Sequence, residues 1–98
     1  MENPLPEVLS RLQALLPSLA PRYGVRSLGV FGSFARNEQR EGSDLDILVS
    51  FDDPPSLLRF VELEDLLSQS LGRPVDLVMA EALKPGIARR ISSEVVTV

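Results

Sequence analysis

Short apolar runs alternate with longer segments of helical periodicity, and this alternation most constrains the fold. Apolar runs bounded by turn residues predict core strands at Val25 to Phe31, Leu45 to Phe51 and Val75 to Met79. Leucine stripes at helical spacing predict helices over Leu5 to Leu19 and Leu57 to Leu71. Because helices alternate with short strands, we expect a two-layer α/β (α+β) domain, a small mixed β-sheet flanked by helices.

Proline and glycine set the expected boundaries of these elements. Pro17 is expected to end or kink the first helix around Leu16, because proline lacks the N–H that an internal helical hydrogen bond needs. A helical turn is expected over Ser33 to Asn37. After the third strand, the pattern predicts a helix over Ala80 to Glu94 that is interrupted near Pro85. The ending "VVTV" is predicted to form a short last strand.

The length of 98 residues predicts a single domain, residues 1–98, because a second independent hydrophobic core needs more chain. No apolar stretch approaches the roughly 20 residues that span a bilayer. The start "MENPLPEV" also lacks the basic and apolar regions of a secretory signal. We therefore expect a cytoplasmic protein with no membrane partner. The net charge of −4 and the pI of about 4.7 argue against binding of duplex nucleic acid through its phosphates.

Histidine and cysteine are both absent from the sequence. Disulfides, thiolate metal sites, the usual zinc sites and a Ser-His-Asp triad are therefore excluded. Any bound metal must take carboxylate oxygens as ligands, and these oxygens favour hard cations such as Mg²⁺ or Mn²⁺.

Three aspartates are the candidate metal ligands. Asp44 and Asp46 lie two positions apart at the start of the second predicted strand, where alternate side chains share one face. Their like charges repel, and a pair of divalent cations would remove that repulsion. Asp76 lies among apolar residues in the third predicted strand, and it joins the pair if this strand lies beside the second. Two metal ions held by carboxylates are the standard arrangement for in-line displacement at phosphorus.

A Gly-Ser pair follows the first predicted strand and is the candidate phosphate site. Gly32 allows a ligand to approach the backbone closely, and the N–H groups at the start of a helical turn attract phosphate. The Ser33 hydroxyl adds a hydrogen bond, and Arg36 can reach the same phosphates one turn later. Each feature alone has a simpler interpretation as a turn, a solvated loop, a strand edge or a surface charge. Their occurrence together, in this order, favours nucleotidyl transfer from a nucleoside triphosphate.

The stretch "FGSFARNEQREGSDLDILV" resembles the signature of the polymerase-β-like nucleotidyltransferases, a Gly-Ser pair followed by a polar span and then D-x-D. It is particularly similar to the minimal nucleotidyltransferase (MNT) domains, whose pattern is G-S-x-A-R-G, a spacer and S-D-[IL]-D-[IL]-x-V. The distal stretch "RPVDLVMAEALKPGIARRISSEVVTV" also resembles the third-carboxylate strand and closing helix of that family. The resemblance implies the two-layer nucleotidyltransferase fold.

The same resemblance implies roles for individual positions. Three positions match the catalytic acids of the family, namely Asp44, Asp46 and Asp76. In the family these acids bind two Mg²⁺ ions, with Mn²⁺ as an alternative metal. Others match its substrate-binding residues: Gly32, Ser33, Arg36 and Ser43. One position departs from the pattern, because Asn37 stands where the family often has glycine. Asparagine tolerates a left-handed backbone better than most residues, so we expect the turn to be retained.

A reaction and a partner are also implied by the resemblance. The usual companion of an MNT domain is a helical HEPN-domain toxin, and the MNT protein acts as its antitoxin. It transfers AMP from ATP to a hydroxyl of the toxin, typically that of a tyrosine. The second half of the cleft is then expected from this partner or from homo-oligomerisation. Two alternatives stay open, namely a non-catalytic antitoxin that neutralises the toxin by binding, and nucleotidyl transfer to a small molecule or an RNA end.

Overall fold

A computed structural model describes residues 3–98, which form three α-helices and four strands. In chain order these elements are α1 Leu5–Tyr23, β1 Val25–Phe31, β2 Leu45–Phe51, α2 Leu57–Leu71, β3 Val75–Met79, α3 Pro85–Ser92 and β4 Val96–Thr97. Short 3₁₀ turns follow β1 and β3, at Gly32–Phe34 and Ala80–Ala82. The mixed α/β class and the predicted bounds of β1, β2, β3 and α2 are confirmed.

Helix α1 is longer than predicted. Of the two expected effects of Pro17, an end of the helix near Leu16 is wrong, because the helix continues through Pro17 and Pro21 to Tyr23. The kink stays a prediction. Pro17 is exposed, so the carbonyl group that loses its helical partner can bond to water. Burial of Leu19 and Tyr23 on the opposite face extends the apolar stripe and supports the extra turns.

The last predicted helix is only partly confirmed. The chain over Ala80–Ala82 forms a 3₁₀ turn, and α3 begins afterwards at Pro85. Pro85 therefore starts the helix instead of interrupting it, since a proline in the first helical turn needs no N–H partner. The short last strand is confirmed as β4, which pairs with β1.

The four strands form one mixed sheet in the order β3-β2-β1-β4. Strand β1 is antiparallel to both of its neighbours, while β2 and β3 are parallel. As a result, the end of β1 and the starts of β2 and β3 lie at the same edge of the sheet. We call this edge the acidic edge, because Asp44, Asp46 and Asp76 lie there.

Helices α1 and α2 cover one face of the sheet. Alternate residues of β2 are buried in the core, and the residues between them, Asp46 among them, lie on the opposite face. The main core side chains are Val8, Leu12 and Leu19 from α1, Leu63, Leu67 and Leu71 from α2, and Leu45, Ile47, Val49 and Phe51 from β2. No helix within residues 3–98 is long and apolar enough to cross a membrane.

Candidate active site

Two of the predicted acids are neighbours across the sheet. Asp46 on β2 and Asp76 on β3 occupy paired positions of the parallel ladder, and both face away from the core helices. The expectation that the third strand lies beside the second is therefore confirmed. Asp44 precedes the first residue of β2 and is exposed. The fold thus brings all three acids to the acidic edge, with Asp46 half-buried and the other two open to solvent.

The charges at the acidic edge are not balanced. Burial raises the pKa of Asp46, the negative charges of Asp76 and Asp44 raise it further, and nearby Arg36 opposes them. Within residues 3–98, however, no three acidic side chains are assembled closely enough to form a ready metal-binding group. The edge therefore offers the oxygen chemistry and the excess negative charge that suit a divalent cation, without a closed coordination cage.

Gly32 lies directly against Asp46. Its backbone has a positive φ of 73°, a conformation that residues other than glycine rarely adopt. A Cβ atom at this position would overlap the Asp46 carboxylate. Both the backbone conformation and the approach to Asp46 therefore require glycine here.

A turn follows Gly32 and brings Arg36 back toward it. The Arg36 N–H donates to the Gly32 carbonyl at 3.2 Å, and half-buried Ser33 lies inside this turn. The next residue, Asn37, has a φ of 56°, so the expectation that asparagine supports a left-handed conformation here is confirmed. The turn thus places Gly32, Ser33 and Arg36 together at the end of β1.

Arg36 is held by two carboxylates. Its Nε donates to Glu38 at 2.7 Å, and its Nη1 donates to Glu94 at 2.8 Å. These two hydrogen bonds raise the pKa of Arg36. The other oxygen of Glu94 accepts the Gly32 N–H at 3.2 Å. The Arg36 guanidinium and the Gly32 N–H lower the pKa of Glu94, which keeps this carboxylate ionised.

Glu94 is a residue of the candidate site that the sequence did not indicate. It is placed there by the pairing of β4 with β1, in which Val96 lies opposite Val30. Extending that antiparallel register by two residues on each strand brings Glu94 opposite Gly32. The acid alone, in a polar segment near the end of the chain, gave no reason to select it.

Ser43 has a local role in the structure. Its N–H donates to the Arg40 carbonyl at 2.9 Å, and its hydroxyl accepts the Arg40 N–H at 2.8 Å. This reciprocal pair closes the turn that contains Gly42, whose φ is 84°. The turn ends immediately before Asp44, so Ser43 sets the direction from which the chain enters β2.

The fold and the site define an α/β domain with acids on paired strands beside a glycine turn. Residues 9–98 match the nucleotidyltransferase domain family, and the chain belongs to this family. The protein adenylyltransferase MntA of Thermococcus cleftensis is 53% identical over 94 residues, which cover 96% of this chain and 95% of that protein.

Two solved structures share the fold. A chain of a toxin–antitoxin complex with AMP-PNP superposes with a TM-score of 0.77 at 24% identity, over 90% of this chain and 69% of that one. A chain from a complex of a tri-AMPylated Shewanella oneidensis HEPN toxin with an MNT antitoxin superposes with a TM-score of 0.69 at 21% identity. That match covers 92% of this chain and 67% of the other.

Proposed function

We propose that this chain is a protein adenylyltransferase, which transfers AMP from ATP to a hydroxyl of a HEPN toxin and thereby acts as its antitoxin. The observation that carries the proposal is the paired position of Asp46 and Asp76 beside the Gly32 turn. Similarity over nearly the full length to a protein adenylyltransferase supports the reaction. The complex of a tri-AMPylated toxin supports the kind of acceptor, and we propose a tyrosine hydroxyl as its reactive group.

Divalent cations fit the donor chemistry of the acidic edge. Asp44, Asp46 and Asp76 supply only carboxylate oxygens, and the negative charges of Asp76 and Asp44 add to the effect of burial in raising the pKa of Asp46. We propose that these three residues hold two Mg²⁺ ions, for which Mn²⁺ can substitute. Bound there, the ions would polarise the phosphoryl oxygens and lower the pKa of the acceptor hydroxyl.

The remaining chemistry falls to side chains at the same edge. The Ser33 hydroxyl and the remaining N–H groups of Arg36 bind the triphosphate beside Gly32, whose missing side chain lets the Asp46 carboxylate lie against the same turn. Asp76 is exposed, so it can face an acceptor that arrives from a partner. Its carboxylate accepts the hydroxyl proton as the acceptor oxygen attacks the α-phosphorus and pyrophosphate leaves.

The partner supplies the other wall of the cleft in this proposal. Residues 3–98 form one sheet, its helices and the connecting turns. None of these elements covers Asp44 and Asp76, which are open to solvent. We infer that the toxin, or a second copy of this chain, covers the exposed acids during transfer. A cytoplasmic location, where ATP is available, belongs to the same proposal.

The proposed function is tested by determining which molecule receives the labelled AMP of ATP. The chain is incubated with Mg²⁺, α-labelled ATP and the co-encoded HEPN protein, and the label is located by mass spectrometry. We expect AMP on a tyrosine of the toxin, and a loss of at least about 100-fold in rate for Asp46→Asn or Asp76→Asn. Asp53→Asn, an exposed acid outside the site, is the matched control and keeps the rate.

Other outcomes would replace the proposal with one of its alternatives. Unlabelled toxin that is still neutralised by an Asp44→Asn/Asp46→Asn variant would identify an antitoxin that acts by binding alone. Label on an RNA end or on a small molecule would identify a different acceptor. Omission of Mg²⁺, followed by addition of Mg²⁺ or Mn²⁺ separately, tests the metal requirement.

A further inference from the structure

Glu94 contacts both Gly32 and Arg36 of the candidate active site, although it is about 60 residues away from them in the sequence. One carboxylate oxygen accepts the Gly32 N–H, and the other accepts Nη1 of Arg36. We propose that Glu94 is a positioning residue for ATP, one that holds the Arg36 guanidinium in the orientation that receives the triphosphate. The inference rests on the proposed function for the identity of its ligand.

The fold delivers Glu94 to this position through β4. Gly29 on β1 has no side chain, and a Cβ there would lie 2.6 Å from Val95 Cγ2 and 3.2 Å from the Val96 carbonyl oxygen. The missing side chain lets the segment before β4 pack directly on β1. Glu94 lies in the turn between α3 and β4, so the pairing of β4 with β1 brings it to the Gly32 turn from a distant part of the sequence.

The two carboxylates that contact Arg36 are not equivalent. Glu38 belongs to the same loop, and its side chain is 60% exposed, whereas the Glu94 side chain is 28% exposed. An exposed ion pair within one loop restrains its members weakly. Glu94 is anchored by a second hydrogen bond, to Gly32, so it is the contact that fixes Arg36 relative to the sheet.

Arg36 keeps binding capacity in this arrangement. A guanidinium has five N–H donors, and Glu38 and Glu94 use one donor each. The remaining donors are free for phosphate oxygens. Arginine loses much rotamer entropy when it is fixed, so an arginine that is already oriented by Glu94 binds phosphate at a smaller entropic cost.

The negative charge of Glu94 also acts against ATP binding, and a measurement of ATP affinity distinguishes this effect from positioning of Arg36. A carboxylate beside a triphosphate repels it, and removal of that charge alone would tighten binding. The amide of Glu94→Gln keeps an acceptor for the Gly32 N–H and removes the charged partner of Arg36. The sign of the change in ATP affinity therefore separates a positioning residue from a competing anion.

The test measures the affinity for Mg²⁺–AMP-PNP by calorimetry, which avoids turnover. We expect Glu94→Gln to raise Kd about tenfold and Glu38→Gln, the matched control on the same guanidinium, to change it less than about twofold. In an Arg36→Ala background, Glu94→Gln should change Kd less than about twofold, because its effect passes through Arg36. Unchanged or tighter binding by Glu94→Gln would overturn the proposal, as would a full effect without Arg36.

A nucleotide-free measurement keeps this inference separate from the proposed function. In ¹⁵N NMR, we expect the signal of Arg36 Nη1–H, the group that donates to Glu94, to show a lower heteronuclear NOE in Glu94→Gln than in the unaltered chain or Glu38→Gln. An unchanged signal would overturn the positioning role. If the signal responds but the unaltered chain binds no Mg²⁺–AMP-PNP, the proposed function fails while the restraint of Arg36 by Glu94 stands.

Discussion

Gly32 is the residue on which the candidate site most depends. Its positive φ directs the chain out of β1, its lack of a side chain admits the Asp46 carboxylate, and its N–H contacts Glu94. Any side chain at this position would disturb the backbone turn and the acid together. The turn after β1 and the proposed metal-binding position of Asp46 therefore both require glycine at position 32.

A Gly32→Ala variant is expected to lose stability and AMP transfer together. A left-handed alanine costs about 1–2 kcal/mol, and the overlap of its Cβ with Asp46 adds to that cost. Gly72→Ala is the control, because Gly72 has a similar φ of 67° but nothing within 4 Å of its Cβ position. Urea unfolding and transfer assays should show a larger loss for Gly32→Ala, and equal losses would contradict this account.

The ion pair of Glu94 makes stability depend on pH. The folded-state pKa of Glu94 is lowered from its ordinary value of 4.5, so its stabilising effect is complete above that value. It is lost as the pH falls through the lowered folded-state pKa. We therefore expect Glu94→Gln to reduce the free energy of unfolding by a few tenths to about 1 kcal/mol at pH 7.

Urea unfolding of the unaltered chain and Glu94→Gln across acidic pH measures this dependence. The difference between the two should shrink as the pH falls below the ordinary value and vanish once Glu94 is protonated in both states. Glu7→Gln, in an exposed i,i+4 pair with Arg11, is the control and should change stability less. A difference that stays constant with pH would show that Glu94 stabilises the fold without its charge.

At the scale of elements, α1 shows how tertiary burial can outweigh a local helix breaker. The helix contains Pro17 and Pro21, and both are on its exposed side. Buried Leu19 and Tyr23 pack into the core from the other side. Because an internal proline also removes a hydrogen bond, α1 keeps a local cost that its packing offsets.

Replacement of Pro17 by alanine is expected to stabilise the chain. A proline in a helix interior costs about 3 kcal/mol relative to alanine, and part of that gain is offset because alanine leaves the unfolded chain freer. A net increase of about 1 kcal/mol or more in the free energy of unfolding should appear in urea titrations. Pro6→Ala, in the first turn of α1, is the control and should be nearly neutral. A destabilised Pro17→Ala would show that the proline geometry is required for the packing of α1.

At the scale of the whole molecule, one layer of helices and one sheet share a single core. The radius of gyration of 12.8 Å agrees with the roughly 13 Å of a compact 100-residue domain. The core draws side chains from α1, α2 and three strands, so none of these elements can unfold without exposing the others. We propose from this that the chain forms a single cooperative domain.

Calorimetry tests that proposal directly. The chain is expected to unfold in one transition in which the calorimetric and van't Hoff enthalpies agree. The heat-capacity change should be about 1.2–1.5 kcal/mol/K, as for other domains near 100 residues. A second transition, or a van't Hoff enthalpy well below the calorimetric one, would show that part of the chain unfolds separately.

Local patterns in the sequence determined most elements and the placement of Asp46 and Asp76 on strands. The predicted bounds of β1, β2, α2 and β3 are confirmed, because strong turn residues lie beside at least one end of each of these segments. The motif also led to the nucleotidyltransferase family, to which residues 9–98 belong.

Only the tertiary structure decided which distant groups meet. The full length of α1 depends on burial against the sheet, and a local rule for proline cannot include that contribution. The contact of Glu94 with Gly32 and Arg36 depends on the register of β4 on β1. Strand pairing between segments far apart in sequence is set by the shared core, so no window of the sequence contains it.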